Sequence, residues 1–261
     1  MAQANGIPHV RVNVLNCQVE AKVIDFGAEA LDQMRSEAGL APDGGAALWT
    51  EPVYTAFPFD FDGDARHGEG NPPSRVGSRV GGPPPATDWT RKGDRPLVYV
   101  TFGTMVSKRP GRDHIFRVAL DAVADLDAEV LLTTGRDFDM SSLGSIPDNA
   151  VVHPFVPQAA VFAQATAMLC HGGSGTLLGG FAAGLPQVVA PLAADQPYNA
   201  DLTASGGFGL HVDASSAGEM RTALGLVLSR PDFTAAARRL SDELRAMPDH
   251  SVAADRIAAL A

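Results

Sequence analysis

Short β-rich apolar runs alternate with helical segments through the larger, carboxyl-terminal part of this 261-residue chain, which predicts an α/β fold on a doubly wound parallel sheet. Two further observations support that fold class. The interval between successive runs after Leu97 suits strand, helix, strand units. A glycine-rich stretch, HGGSGT at 171–176, lies where an apolar strand should turn into an apolar helix. Sheets of this kind take ligands at the carboxyl ends of their strands.

From the amino terminus, PHVRVNV (8–14) reads as a strand, GAEALDQMRSEAGL (27–40) as a short helix ended by Gly39, and PVYTAFPFDF (52–61) as an apolar run broken by Pro58. That alternation is too sparse for a complete domain. Residues 63–96, dense in Gly, Pro and charge, hold no sustained period and read as a linker or an extended surface crossing. LVYVTFG (97–103) opens the regular part, and a helix follows with Ile115, Phe116, Ala119, Ala122, Val123 and Leu126 at helical spacing. Next come EVLLTTG (129–135), AVVHPFV (150–156), helical material over 157–165, and AMLC (167–170). The helix opened by HGGSGT, QVVAPL (187–192), a helix from Asp195, and GLHV (209–212) complete the series. The expected division is a partial domain with linker at 1–88 and a ligand-binding domain at 89–261.

Apolar residues make up 45% of the chain and charged residues 19%, an ordinary globular balance that can build a core. A formal charge of -10 argues against general affinity for nucleic acid or anionic membranes, since both need a basic footprint. Any anionic ligand must be held by local donors. Cys17 and Cys170 cannot build a disulfide framework and sit in apolar, strand-like contexts, which suits a reducing cytosol. No apolar run reaches the roughly 18 residues of a membrane span, and MAQANGIPHVRVNV lacks the pattern of a signal peptide. The expectation is a soluble cytoplasmic protein.

HGGSGT occupies a strand's carboxyl end and the first turn of the next helix. Backbone N–H groups there lack intrahelical partners, and the helix carries roughly half a positive charge. Gly172, Gly173 and Gly175 remove side chains that would hold a phosphate away, while Ser174 and Thr176 add hydroxyl donors. His171, immediately before the turn, adds an imidazole donor. Each charge-assisted bond contributes roughly 1.5 to 3 kcal/mol, so three or four could hold a diphosphate on an acidic protein. A Ser-capped helix after a glycine turn is the competing structural reading.

The longer run PFVPQAAVFAQATAMLCHGGSGTLLGGFAAGLPQVVAPLAADQPYNA resembles the donor-binding signature of the GT-B glycosyltransferases, in the family that glycosylates natural products from nucleotide-diphosphate sugars. The likeness extends from about Pro8 to the carboxyl terminus and is strongest from Val151 to Asp213. It implies a Rossmann-like donor-binding domain at 89–261 behind a partial acceptor-side domain. By the same resemblance, Phe155 stacks on the nucleotide base, and Val156 and Gln158 contact the base and the ribose. His171, Gly173, Ser174, Gly175 and Thr176 take the diphosphate, the TFGT turn ending in Thr104 closes over it, and Asp195 and Gln196 receive the sugar hydroxyls. Read without the resemblance, Phe155 is a core aromatic, TFGT an ordinary turn, and Asp195 an N-cap ahead of Pro197.

The chain departs from the family's pattern in two places. Many relatives carry a glutamate at the position of Gly179 to grip the ribose hydroxyls, so a glycine there leans toward a deoxyribose donor such as a dTDP-sugar over a UDP-sugar. In full-length relatives the amino-terminal domain binds the acceptor and supplies a general-base histidine near its start. This chain opens in what looks like the later part of that domain, and His9, His67, His114 and His153 do not sit in the base context. No catalytic residue is assigned, and the base is expected outside this chain.

The expected activity is transfer of a hexosyl or deoxyhexosyl group to a small-molecule natural-product acceptor, inverting and without a metal. No cofactor is expected, the nucleotide sugar being a substrate. An incomplete acceptor domain would expose apolar surface, so a homodimer or a partner chain is also expected. The alternative is a nucleotide-sugar-binding subunit or inactive half-enzyme that needs a partner chain for catalysis. Other chemistries find less support. DFDGD (60–64) offers a D-x-D for Mg²⁺ or Mn²⁺, but an acidic turn explains it more simply. VTFGTMVSK lacks the dinucleotide G-x-G-x-x-G, GGSGT lacks the P-loop lysine, and the cysteines lack zinc spacing.

Overall fold

The structure is a computed structural model that describes residues 2–63, 74–77, 85–104, 106 and 114–260. The chain forms two compact units, Met1–Val80 together with Glu243–Ala261, and Gly81–Asp242. No helix among the described residues is long and apolar enough to cross a membrane.

In the first unit, parallel strands β1 (Arg11–Asn13), β2 (Val53–Thr55) and β3 (Ser74–Arg75) lie in that order, with Val12 opposite Tyr54 and Thr55 opposite Arg75. Helix α1 (Cys17–Glu37) starts well ahead of the expected Gly27. The reason is its capped start: the Asn16 side chain accepts from the Val19 N–H, and Glu20 lies in the first turn, where the helix field favours an acid. Cys17, Val19, Ala21 and Ile24 form its buried apolar face. Two short helices follow, α2 (Ala46–Thr50) and α3 (Phe59–Asp62), and Pro58 stands at the N-cap of α3.

The stretch 63–96 is not wholly linker. Ser74–Arg75 pairs with β2, and Gly77 bridges to Asp249; residues 64–73 and 78–84 lie outside the described residues. The carboxyl-terminal segment also differs from the expected division. Gly77 donates its N–H to the Pro248 carbonyl at 2.8 Å, and the Glu243 carboxylate accepts from the N–H groups of Phe59 and Asp60. These bonds place Glu243–Ala261, with α10 (Ser251–Ala258), in the first unit and the division at Val80/Gly81.

Asp62, the middle acid of DFDGD, is buried. It accepts from the Cys17 N–H at 2.6 Å and faces Arg75 Nη1 at 3.4 Å, while burial pushes its carboxyl up from the ordinary range. It is committed to the fold, and no group of three metal-ligating side chains occurs among the described residues. Asp64 lies outside them.

The second unit carries strands β4 (Leu97–Thr101), β5 (Glu129–Thr133), β6 (Ala150–His153), β7 (Ala167–Cys170), β8 (Gln187–Val189) and β9 (Gly209–His211). All pair in parallel, in the order β6-β5-β4-β7-β8-β9. Each falls in a run the sequence marks as strand-like. Helices α4 (His114–Val123), α5 (Gln158–Phe162), α6 (Ser174–Ala182), α7 (Gln196–Ser205) and α8 (Ala217–Ser229) intervene or follow, and α9 (Pro231–Ala246) belongs to this unit up to Asp242. Val98, Val100, Val130, Leu132, Leu169 and Val188 of the sheet share one core with α4 residues Ile115, Phe116, Ala119 and Leu120 and α8 residues Met220 and Leu224. Full burial of each large apolar side chain contributes roughly 1.5 to 3 kcal/mol.

The chain winds from β4 outward to β6, then returns to the other side of β4 for β7. That reversal opens a crevice beyond the carboxyl ends of β4 and β7, where Thr101 lies opposite Cys170.

Candidate functional site

Two turns leave those strand ends, TFGT after β4 and HGG after β7, and between them and α7 lies a cavity of about 620 Å³. Thr104, Phe155, Val156, Gln158, His171, Gly173, Ser174, Gly175, Thr176 and Gln196 all line it. Of the residues the sequence nominates, Asp195 is the exception.

The amino terminus of α6 faces this space. Its first intrahelical bond runs from the Leu177 N–H to the Gly173 carbonyl at 3.0 Å, and no side chain caps the helix. The N–H groups of Ser174, Gly175 and Thr176 therefore have no acceptor among the described residues. The Ser-cap reading fails, because the Ser174 hydroxyl donates to Asp195 Oδ2 at 2.9 Å.

His171 occupies a slot between two glycines. A Cβ at Gly103 would stand 2.9 Å from the ring, and one at Gly173 only 2.4 Å from Nε2. Glycine at 173 is thus required by the imidazole, not only by a ligand. Burial drives the His171 pKa down to about 4, against an opposing pull from Asp195, so the ring is neutral at pH 7. A neutral imidazole offers one N–H and one lone pair. Nδ1 is buried without a partner among the described residues. Cys170, directly beneath, is fully buried and its thiol is pushed up to about 12, which leaves it inert.

On the opposite wall, Phe155 is 45% exposed, so it is not a core aromatic. The Arg136 guanidinium lies 4.2 Å from its ring centroid, a cation–π contact that covers part of the ring surface. Val156 is buried, and Gln158 Nε2 donates to Thr176 Oγ1 at 3.4 Å. Sequence reasoning missed Arg136, and also Tyr99 and Thr133, whose hydroxyls meet at 3.0 Å at the cavity's floor. Thr133 is the last residue of β5, and that placement was the available signal, whereas Tyr99 stands in the middle of β4 and carried none.

At α7, Asp195 holds the N-cap position without making a side-chain cap bond. Its Oδ2 accepts from Ser174 and from Asn199 Nδ2, at 2.9 and 3.0 Å. Gln196 Oε1 accepts from the N–H groups of Leu192 and Ala193 at 2.8 and 2.9 Å, and its NH₂ end has no hydrogen-bond partner among the described residues. Ala194 between them has φ 57°, the left-handed region that costs a non-glycine residue roughly 1 to 2 kcal/mol. At Gly179 a Cβ would stand 2.7 Å from Phe162 Cε2, so a glutamate there would collide with a ring already in place. Of the other histidines, His9 has acceptors at both ring nitrogens, the Ile7 carbonyl and Glu51 Oε1, which raise its pKa. His114 begins α4, His153 ends β6, and His67 lies outside the described residues.

Residues 117–260 match the family model described as erythromycin biosynthesis protein CIII-like, C-terminal domain. The chain is similar to elloramycin glycosyltransferase ElmGT of Streptomyces olivaceus, 37% identical over 181 residues that cover 69% of this chain and 44% of that protein. Its structure is similar to that of the glycotransferase of kitacinnamycin, with TM-score 0.79 and 26% identity over 99% of this chain and 72% of the other. It is also similar to spinosyn rhamnosyltransferase SpnG complexed with thymidine diphosphate, with TM-score 0.70 and 26% identity over 86% of this chain and 60% of the other. The matched region spans less than half the length of the curated relatives, 44% of ElmGT and 38% of a mycobacterial glycosyltransferase. With a parallel sheet, a switch-point crevice and a matching family model, the chain belongs to the erythromycin biosynthesis protein CIII-like family of antibiotic-biosynthesis glycosyltransferases, with the GT-B fold.

Proposed function

We propose that this chain binds a nucleotide-diphosphate sugar in the β4/β7 crevice and acts in transfer of its hexosyl or deoxyhexosyl group to a small-molecule natural-product acceptor. The observation that carries the reading is the trio of unpaired amides at Ser174, Gly175 and Thr176 facing the cavity beside a neutral His171. Diphosphate oxygens would accept from these amides, from the Thr176 hydroxyl and from His171, with Thr104 closing the other side. Phe155 would carry the base beside Val156 and Gln158, and Asp195 and Gln196 would receive the sugar.

In this proposal the acceptor oxygen attacks the anomeric carbon in line as the bond to the diphosphate oxygen breaks. The leaving diphosphate takes the electron pair, and the α6 amides stabilise its developing charge. Inversion at the anomeric carbon follows from a single displacement. The reading needs no metal, so a chelator should leave nucleotide affinity unchanged. A thymidine nucleotide is favoured over a uridine one, supported by glycine at 179 packed on Phe162 and by the thymidine diphosphate in SpnG.

The acceptor's proton would go to a base outside this chain, supported by the resemblance to full-length relatives whose amino-terminal domain supplies that histidine, and by His9, whose two ring nitrogens are already engaged by the Ile7 carbonyl and Glu51. The same resemblance leaves a second reading, a nucleotide-sugar-binding subunit that transfers nothing without a partner chain. A cytoplasmic location belongs to the proposal too, supported by buried, unbridged Cys17 and Cys170.

Calorimetric titration with dTDP and UDP tests the site. His171→Ala and Thr176→Ala should each weaken binding by about tenfold, the loss of one hydrogen bond to a charged group. Unchanged affinity in both variants rejects the assignment. Release of nucleotide diphosphate only when acceptor is present distinguishes the enzyme from the subunit.

A further inference from the structure

Asn199, on α7, has a side-chain amide that serves two elements at once. The residue is completely buried, and Nδ2 donates to the Gly172 carbonyl at 2.8 Å and to Asp195 Oδ2 at 3.0 Å. That same Oδ2 accepts from the Ser174 hydroxyl at 2.9 Å. Gly172 itself is pressed against its surroundings: a Cβ there would stand 2.7 Å from Val189 Cγ1 and 3.3 Å from the Gln196 carbonyl oxygen. Thr203 Oγ1 donates to the Asn199 carbonyl at 2.7 Å, a further bond within α7. The turn beneath α6 and the start of α7 are thus joined through Gly172, Asn199, Asp195 and Ser174.

An NH₂ group has two hydrogens, and here they go to a backbone carbonyl and a carboxylate, a combination an aspartate cannot supply. Asp195 is held by one oxygen only. Oδ2 takes both donors, while Oδ1 has no partner among the described residues; Asp195 itself does not line the cavity, but its neighbours Ala194 and Gln196 and its partner Ser174 do, which puts the carboxylate at the cavity's edge.

We propose that Asn199 is a positioning residue for the donor sugar, fixing the Asp195 carboxylate, together with Ser174, against the diphosphate turn. The proposal rests on the reading of this crevice as a nucleotide-sugar site. It adds that the sugar's contribution to affinity depends on two side chains whose hydrogen bonds run within the protein, because they set the distance between the sugar side and the diphosphate side.

The test is calorimetric titration of dTDP and dTDP-glucose, with UDP and UDP-glucose in parallel, against the wild type, Asn199→Asp and Ser174→Ala. The quantity read is the ratio of the Kd for the sugar nucleotide to the Kd for the bare nucleotide. Each substitution should raise that ratio by about tenfold, the scale of one lost hydrogen bond to a carboxylate. Thermal melts check folding, and if Asn199→Asp does not fold, Ser174→Ala decides alone, since it removes one exterior bond to Asp195 and no core atom. A ratio unchanged in the folded variants overturns the proposal while leaving the nucleotide site standing. A wild type that binds none of the four ligands overturns both.

Discussion

His171 lies against the start of α6 with Nδ1 buried and unpartnered among the described residues, and that desolvation outweighs the pull of Asp195. Its folded pKa of about 4 lies below the ordinary 6.5, so the folded state binds fewer protons than the unfolded chain between those values. The stability linked to this ring is therefore present above pH 6.5 and lost as pH falls through about 4. Imidazole NMR should show one histidine titrating near 4, and the fall in Tm over that window should be shallower in His171→Gln. A ring that titrates near 6.5 would contradict this environment. The glycines around it separate two roles. Gly173→Ala should lower stability by about 1 to 3 kcal/mol, because its Cβ would strike the imidazole. At Gly175 nothing lies within 4 Å, so Gly175→Ala should raise stability by up to about 1 kcal/mol through helix propensity. It should nonetheless weaken dTDP binding by placing a methyl group at the anion seat. Thermal melts paired with titrations check both.

Elements formed where local signals were continuous. The six strands of the second unit were legible because each is a short apolar run, and α4 because its apolar residues recur at helical spacing. The start of α1 was missed because the cap signal, Asn16 with Glu20 four residues on, lies ahead of the stretch whose composition looks most helical. Asn16→Ala should cost about 1 kcal/mol and shift the chemical denaturation midpoint accordingly. An unchanged midpoint would mean the cap does not set the helix start. The network around Asp195 was illegible for another reason. Ser174 reads in sequence as a phosphate donor, yet its acceptor is 21 residues away, and Asn199 reaches the Gly172 carbonyl across 27 residues. Such bonds follow from the approach of α7 to α6, which no local pattern encodes. The strand at Ser74–Arg75 was hidden similarly, inside a Gly- and Pro-rich stretch that only pairing with β2 makes extended.

At the scale of the molecule, strand order decides where chemistry can occur. Because β7 returns to the free side of β4, two turns converge at one crevice, and α6 points its unpaired amides into it. The described lining contains no Lys or Arg, the Arg136 guanidinium lies against the ring of the lining residue Phe155, and the whole chain carries a formal charge of -10. That net charge repels an anionic nucleotide at long range, and donors close to the site must hold it. Association rates for dTDP, measured by stopped flow, should accordingly rise as salt is raised from low ionic strength toward about 0.15 M, where screening acts within roughly 8 Å. A rate that falls with salt would reveal a guiding positive field. The central claim, that the α6 amides receive the diphosphate, is tested most directly by following the backbone N–H signals of Ser174, Gly175 and Thr176 during titration with dTDP. The account predicts that these three signals move downfield together and saturate with the binding curve. Saturable binding that leaves all three in place, or no binding at all, would contradict it.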